Sequence, residues 1–83
     1  MKLLYFAWVR ERIGRREEDV ELPDNVETVG DLLGWLKGRG DGYEAALTHP
    51  EAIRVAVDQE HVAHDTPLAG AREVGIFPPM TGG

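Results

Sequence analysis

The residues of this chain with the most chemical scope stand at its end, Phe77-Pro78-Pro79-Met80-Thr81-Gly82-Gly83. Each proline holds φ near about −65° and stiffens the exit from whatever precedes it. Gly82 and Gly83 have no side chains, so they fit a narrow channel and let another backbone come close. What they present is an unhindered α-carboxylate. A carboxylate is a poor acyl donor at neutral pH until it is activated. Adenylation by ATP would convert it to a mixed anhydride, and sulfide or a persulfide sulfur would then displace AMP and leave a thiocarboxylate. The stretch beyond Phe77 spans roughly 20 Å when extended, at about 3.3–3.6 Å per residue. The expected organisation is one folded domain, residues 1–77, followed by an extended tail, 78–83, with its cargo at Gly83.

The rest of the composition narrows the alternatives. The chain has no cysteine, which removes disulfides, thiolate zinc sites, thiol nucleophiles and persulfide carriage. Any sulfur it carries sits on another group. No Ser-His-Asp order, phosphate loop or paired-carboxylate site stands out, so no catalytic residue is expected inside the chain. His61 and His64 are three apart in a stretch that does not read as a helix. With no acid or thiol to complete a zinc shell, they read as solvated surface histidines, and no metal is expected. The net charge of −6 argues against nucleic acid, whose backbone needs a basic footprint, and favours a basic protein partner. No apolar run is long enough for a membrane span, and the start of the chain lacks a cleavage site of the signal-peptide type, so the cytoplasm is the expected compartment. Arg10, Arg12, Arg15 and Arg16 read as a solvated basic loop, and Glu17, Glu18 and Asp19 as a polar strand edge.

The elements that must carry the tail can be read from periodicity. Leu3 to Val9 alternates as a first strand, with Leu3, Tyr5, Ala7 and Val9 on one face and Leu4, Phe6 and Trp8 on the other. A polar connection follows, with a helical turn closed by Gly14. Glu18 to Leu22 forms a second strand with Val20 and Leu22 inward, ended by Pro23-Asp24-Asn25. Thr28 and Asp31 make a shortened capping box. Val29, Leu32, Leu33 and Leu36 then fall on one helical face, and Gly40 suits the residue just past the helix end. Tyr43 to Leu47 adds a further helical turn. Ile53, Val55 and Val57 mark a third strand, Asp58-Gln59-Glu60 a turn, Val62 the start of a short strand, and Glu73 to Phe77 the last strand, stopped by Pro78-Pro79. One main helix packed on a mixed sheet is an α+β arrangement. The order and length fit a ubiquitin-like β-grasp with a flexible C-terminal tail. Phe6 and Phe77 fall on the same outward face, a pattern that suits a partner surface.

The segment Phe77 to Gly83 resembles the signature end of the small subunit of molybdopterin synthase. The resemblance extends through Leu4-Tyr5-Phe6-Ala7, Val9-Arg10-Glu11, Ile13-Gly14, Val57-Asp58-Gln59-Glu60, Asp65-Thr66-Pro67-Leu68 and Glu73-Val74. Asp58 stands where that family usually has Asn, and Met80 where it often has Val. The resemblance implies a β-grasp fold and a non-catalytic, sulfur-donating subunit. Its terminal glycine, here Gly83, is adenylated by a ubiquitin-activating-type adenylyltransferase that uses ATP, and is then thiocarboxylated. The tail, Pro78, Pro79, Met80, Thr81 and Gly82, inserts into the large subunit, where sulfur passes to cyclic pyranopterin monophosphate to build molybdopterin. Phe6, His61 and Phe77 match positions that contact the large subunit in a heterotetramer. The small subunit itself binds no cofactor. A carrier for thiamine or cysteine synthesis, a modifier conjugated to lysines and a non-covalent interaction module are the alternatives.

Overall fold

A computed structural model describes residues 1–79. The chain runs β1 (Lys2–Tyr5), α1 (Ala7–Ile13), β2 (Glu17–Asp19), α2 (Val29–Lys37), α3 (Asp41–Ala46), a 3₁₀ turn (Pro50–Ala52), β3 (Arg54–Val57), β4 (Glu60–Val62) and β5 (Glu73–Phe77). The strands form one mixed sheet in the order β2-β1-β5-β3-β4. The first and last strands, β1 and β5, lie parallel at its centre, and the outer pairings are antiparallel. This is the β-grasp arrangement expected from the sequence. The connection between the two central strands carries α2, whose Val29, Leu32, Leu33 and Leu36 are all buried. These residues pack with Leu3, Tyr5, Val55, Val74 and Ile76, which alternate on one face of the sheet. The capping box forms as expected: Asp31 N–H donates to Thr28 Oγ1, and Thr28 N–H donates back to the Asp31 carboxylate.

Several boundaries differ from the periodic reading. The first strand does not reach Val9. Its ladder ends with Phe6 N–H donating to Ile76 O at 3.1 Å, and Ala7 then takes a positive φ of 51°. That reversal starts α1, which carries Val9 back into the core and closes at Gly14 with φ 87°. Ala7 and Val9 therefore leave the strand face assigned to them: Ala7 is exposed and Val9 is buried. The second strand spans Glu17–Asp19, not Glu18 to Leu22. The last exchange joins Met1 and Val20 at 2.9 and 3.1 Å. Helix α2 ends at Gly38 rather than before Gly40, and Gly40 opens α3 instead. Gly42 at the start of α3 has a packing reason. A Cβ there would meet the Arg12 carbonyl oxygen at 2.6 Å, so a side chain would force α1 and α3 apart. The fourth strand begins at Glu60, two residues before Val62, because Asp58 and Gln59 alone make the hairpin turn. The last strand has the predicted bounds.

Candidate functional site

The face of the sheet opposite the helices is the place where the tail leaves. Side chains alternate along a strand, so with Val74 and Ile76 in the core, Glu73, Gly75 and Phe77 of β5 turn to this open face. The register of β1 with β5 sets Tyr5 beside Ile76, which places Phe6 beside Phe77. Their rings stack with centroids 4.3 Å apart and planes 1° from parallel. His61, projecting from β4, brings its imidazole to 5.4 Å from the Phe77 ring at 44°. The three residues named as an interface from sequence are thus gathered into one aromatic cluster, and all three keep exposed surface. Arg54 stands opposite Phe77 in the β3–β5 register.

Pro78 and Pro79 continue from this cluster. With Phe6, Ala7, Arg54, His61 and Phe77 they line an open hollow of about 620 Å³. Pro79 also borders a second hollow, of about 330 Å³, on the side of Trp8 and Ala45. Pro78 and Pro79 therefore follow directly on an aromatic pair, and Pro79 stands between two depressions. Met80, Thr81, Gly82 and Gly83 lie outside the described residues.

Asp58 and Gln59 form the β3–β4 turn, both with positive φ (49° and 72°). The Asp58 carboxylate accepts the backbone N–H groups of Arg72 and Glu73 at 2.9 and 3.0 Å. Those two bonds, that from Glu73 foremost, hold its carboxyl below the ordinary aspartate range. The turn uses this side chain only as an acceptor, a role that a carboxylate fills as well as an amide oxygen does. It fixes the start of β5, the strand that carries the aromatic cluster and the tail.

Two expectations about polar residues are corrected. Glu18 is not part of a solvated edge. Its side chain is 7% exposed and meets the Arg39 guanidinium at 3.0 Å. It also accepts the hydroxyls of Tyr5 and Tyr43. His64 is half-buried rather than free in solvent, with Nε2 at 2.7 Å from the Ile53 carbonyl oxygen. Its backbone carbonyl accepts the Gly30 N–H at 2.8 Å, so it ties the start of α2 to the start of β3. All four arginines of the basic cluster are exposed; Arg12 stacks on the Trp8 ring at 4.2 Å, and Arg15 stands 3.9 Å from the Glu18 carboxylate.

Sequence reasoning missed Gly75. An ideal Cβ there would sit 3.0 Å from the Phe77 ring and 3.2 Å from the Phe6 ring. Both rings lie against the bare strand backbone. A glycine in the middle of a five-residue strand is itself the signal, because it marks a close approach that a side chain would block.

Among the described residues no group of three His, Asp or Glu side chains is placed to hold a metal ion. No helix there is long and apolar enough to cross a membrane. What the geometry offers is a partly exposed aromatic cluster at the end of β5, with Pro78 and Pro79 leading on from it. The ThiS family matches residues 3–83. The molybdopterin synthase sulfur carrier subunit of Escherichia coli K12 is 36% identical over 83 residues, covering 100% of this chain and 99% of that protein. Its counterpart from Haemophilus influenzae is 30% identical with the same coverage. Among solved structures, a putative molybdopterin converting factor subunit 1 from Pyrococcus furiosus superposes with a TM-score of 0.74 at 31% identity, over 95% of each chain. SAMP1 from Haloferax volcanii gives 0.71 at 30% identity, over 100% of this chain and 98% of that one.

Proposed function

This chain belongs to the ThiS family, and from that premise we propose that it is the sulfur carrier of molybdenum cofactor biosynthesis, docking on the large subunit of molybdopterin synthase. The observation that carries the reading is the end-to-end similarity to curated sulfur carrier subunits. The aromatic cluster of Phe6, His61 and Phe77 at the root of the tail supports it physically. An aromatic patch in partial solvent is a typical anchor for a protein partner.

The chemistry resides at Gly83. Its carboxylate oxygen attacks the α-phosphorus of ATP on a ubiquitin-activating-type adenylyltransferase and releases pyrophosphate. A hydrosulfide-level donor then attacks the acyl carbon, AMP leaves, and the thiocarboxylate remains. In the large subunit this sulfur attacks a side-chain carbon of cyclic pyranopterin monophosphate and displaces the oxygen that carbon carries, one such transfer supplying each sulfur of the dithiolene. Water cleaves the acyl–sulfur bond, which returns the Gly83 carboxylate and leaves the sulfur on the pterin. The tail from Pro78 to Gly82 threads the large subunit, and every catalytic group belongs to the partners. The assembly is a heterotetramer with a carrier at each end of a large-subunit dimer, acting in the cytoplasm. ATP is a substrate of the activating partner, and the carrier itself binds no cofactor.

The test uses the absence of cysteine. Protein purified from its own host is measured intact, before and after treatment with a thiol-alkylating reagent. Exchange of one oxygen for sulfur adds about 16 mass units, simple atomic arithmetic at a position off the cysteine oxidation ladder. The alkylated group is expected at Gly83. A chain that never labels, from cells that make molybdopterin, removes the proposal. A second reading is favoured by similarity to a solved small archaeal modifier protein 1 of H. volcanii, TM-score 0.70 at 28% identity. There a lysine amine, rather than sulfide, would take the same activated acyl group. Lysine-linked conjugates of this chain in host extracts would support that use.

A further inference from the structure

The registers align one row of residues across the open face. Glu17 faces Leu4, Leu4 faces Gly75, Gly75 faces Ala56, and Ala56 faces His61. Gly75 and Ala56, at the centre of this row, have almost no side chain; the Phe6 and Phe77 rings lean over Gly75, and Leu4 rises across from it. The result is a hollow of about 200 Å³ whose rim carries Glu73 and Gln59. Its floor and walls are apolar and aromatic. Its rim offers one carboxylate and one amide oxygen. Glu73 has no ion-pair partner among the described residues, since Lys2, its neighbour across the strands, turns to Glu17 at 3.3 Å.

We propose that this hollow receives a single arginine side chain from the protein that docks on the aromatic face. The alkyl stem lies against Leu4 and Ala56, the guanidinium plane stacks beside the phenylalanine rings, and its N–H fork reaches the Glu73 carboxylate and the Gln59 amide oxygen. A guanidinium suits this setting better than an ammonium. It is planar, weakly hydrated and able to stack on an aromatic ring while donating to two acceptors. The net charge of −6 complements a basic partner, and the hollow is continuous with the proposed interface, whose Phe6 and Phe77 form its wall. Gly75 is then a positioning residue: its missing Cβ seats the two rings that wall the hollow. The assignment rests on the docking reading of the preceding section and adds the chemistry of the partner group that is recognised.

The experiment measures binding of the full chain to the large subunit of molybdopterin synthase from the same organism, by calorimetry at two salt concentrations. Glu73→Gln is expected to weaken binding about tenfold and to flatten its salt dependence, because a desolvated charge pair is lost. Gly75→Ala is expected to weaken it by a similar factor and keep the salt dependence, with the melting temperature recorded to separate folding from docking. If Phe77→Ala weakens binding while Glu73→Gln and Gly75→Ala both match the parent, this proposal is wrong and the docking reading stands. If Gly75→Ala weakens binding and Glu73→Gln matches the parent, the loss is that of the displaced Phe6 and Phe77 rings, and the arginine assignment is overturned. If the parent chain does not bind, the docking reading itself fails.

Discussion

Glu18 joins parts of the chain that no local pattern connects. Its carboxylate accepts from Tyr5, thirteen residues away, from Tyr43, twenty-five away, and from Arg39, twenty-one away. Burial opposes its ionisation, but the hydrogen bonds from Tyr43, Tyr5 and Arg39 outweigh that and hold the carboxyl below the ordinary glutamate value. A depressed carboxyl contributes stability that is present above the unfolded pKa, about 4.3, and is lost as pH falls through the folded one. Glu18→Gln should therefore lower stability near neutrality by about 2 kcal/mol, the scale of charged hydrogen bonds lost at a covered site. It should also flatten the acid limb of the melting profile as pH falls below the unfolded glutamate value of about 4.3. An unchanged acid limb by circular dichroism would show that the carboxylate is not the group that counts. Burial, then the Glu18 carboxylate, pushes Tyr5 upward, and Tyr43 moves the same way. Their share is present below the unfolded tyrosine value of about 10 and fades as pH rises beyond it. None of this was legible in Glu17-Glu18-Asp19, because the burial of an acid depends on distant partners rather than on its neighbours in sequence. The pairing of Phe6 with Phe77 was legible, since parity along two strands is local information.

The elements follow the same division. Helix α2 could be read completely at its start, because the cap and the apolar stripe are both local signals. Thr28→Ala should lower stability by about 1 kcal/mol, measured by urea unfolding, with the slope unchanged if the fold stays two-state. The end of that helix was misplaced because Gly38 and Gly40 offer equally good stops, and the choice falls to Arg39, which reaches Glu18 at 3.0 Å. The end of β1 was misplaced because Leu3 to Val9 is apolar throughout, and nothing in composition announces a left-handed alanine at position 7. The β3–β4 turn has the same character. A two-residue hairpin turn with both φ positive favours Asn-Gly or Asp-Gly, whereas this chain has Asp58-Gln59 at 49° and 72°. Gln59→Gly relieves the second of these and keeps the Asp58 bonds to β5. It should raise stability by about 1 kcal/mol, the scale of a left-handed non-glycine residue. A fall in the unfolding midpoint would mean that contacts of the Gln59 side chain outweigh its backbone strain.

At the scale of the whole molecule, the proposed function gives docking and chemistry to different parts of one chain. The face formed by Phe6, His61 and Phe77 is fixed by the register of four strands. Gly83 is four residues past Pro79, within about 14 Å at 3.3–3.6 Å per residue. Aromatic anchors in a partner's pocket supply most of an interface's energy, and a terminal glycine with no side chain supplies little of it. The two functions should therefore fail separately. Deleting Gly83 is expected to leave the affinity for the large subunit within about threefold of the parent, because the aromatic anchors are untouched. It should abolish both alkylation of the terminus and molybdopterin formation. Phe77→Ala should do the reverse. It should weaken binding about tenfold or more without changing the fold, and product formation should recover when the large subunit is raised to saturation, because its Gly83 is intact. Calorimetry together with single-turnover assays on thiocarboxylated protein separates the two. Loss of affinity on deleting Gly83 comparable to that of Phe77→Ala would place the binding energy in the tail, and the sheet face would then be only the surface from which the tail departs.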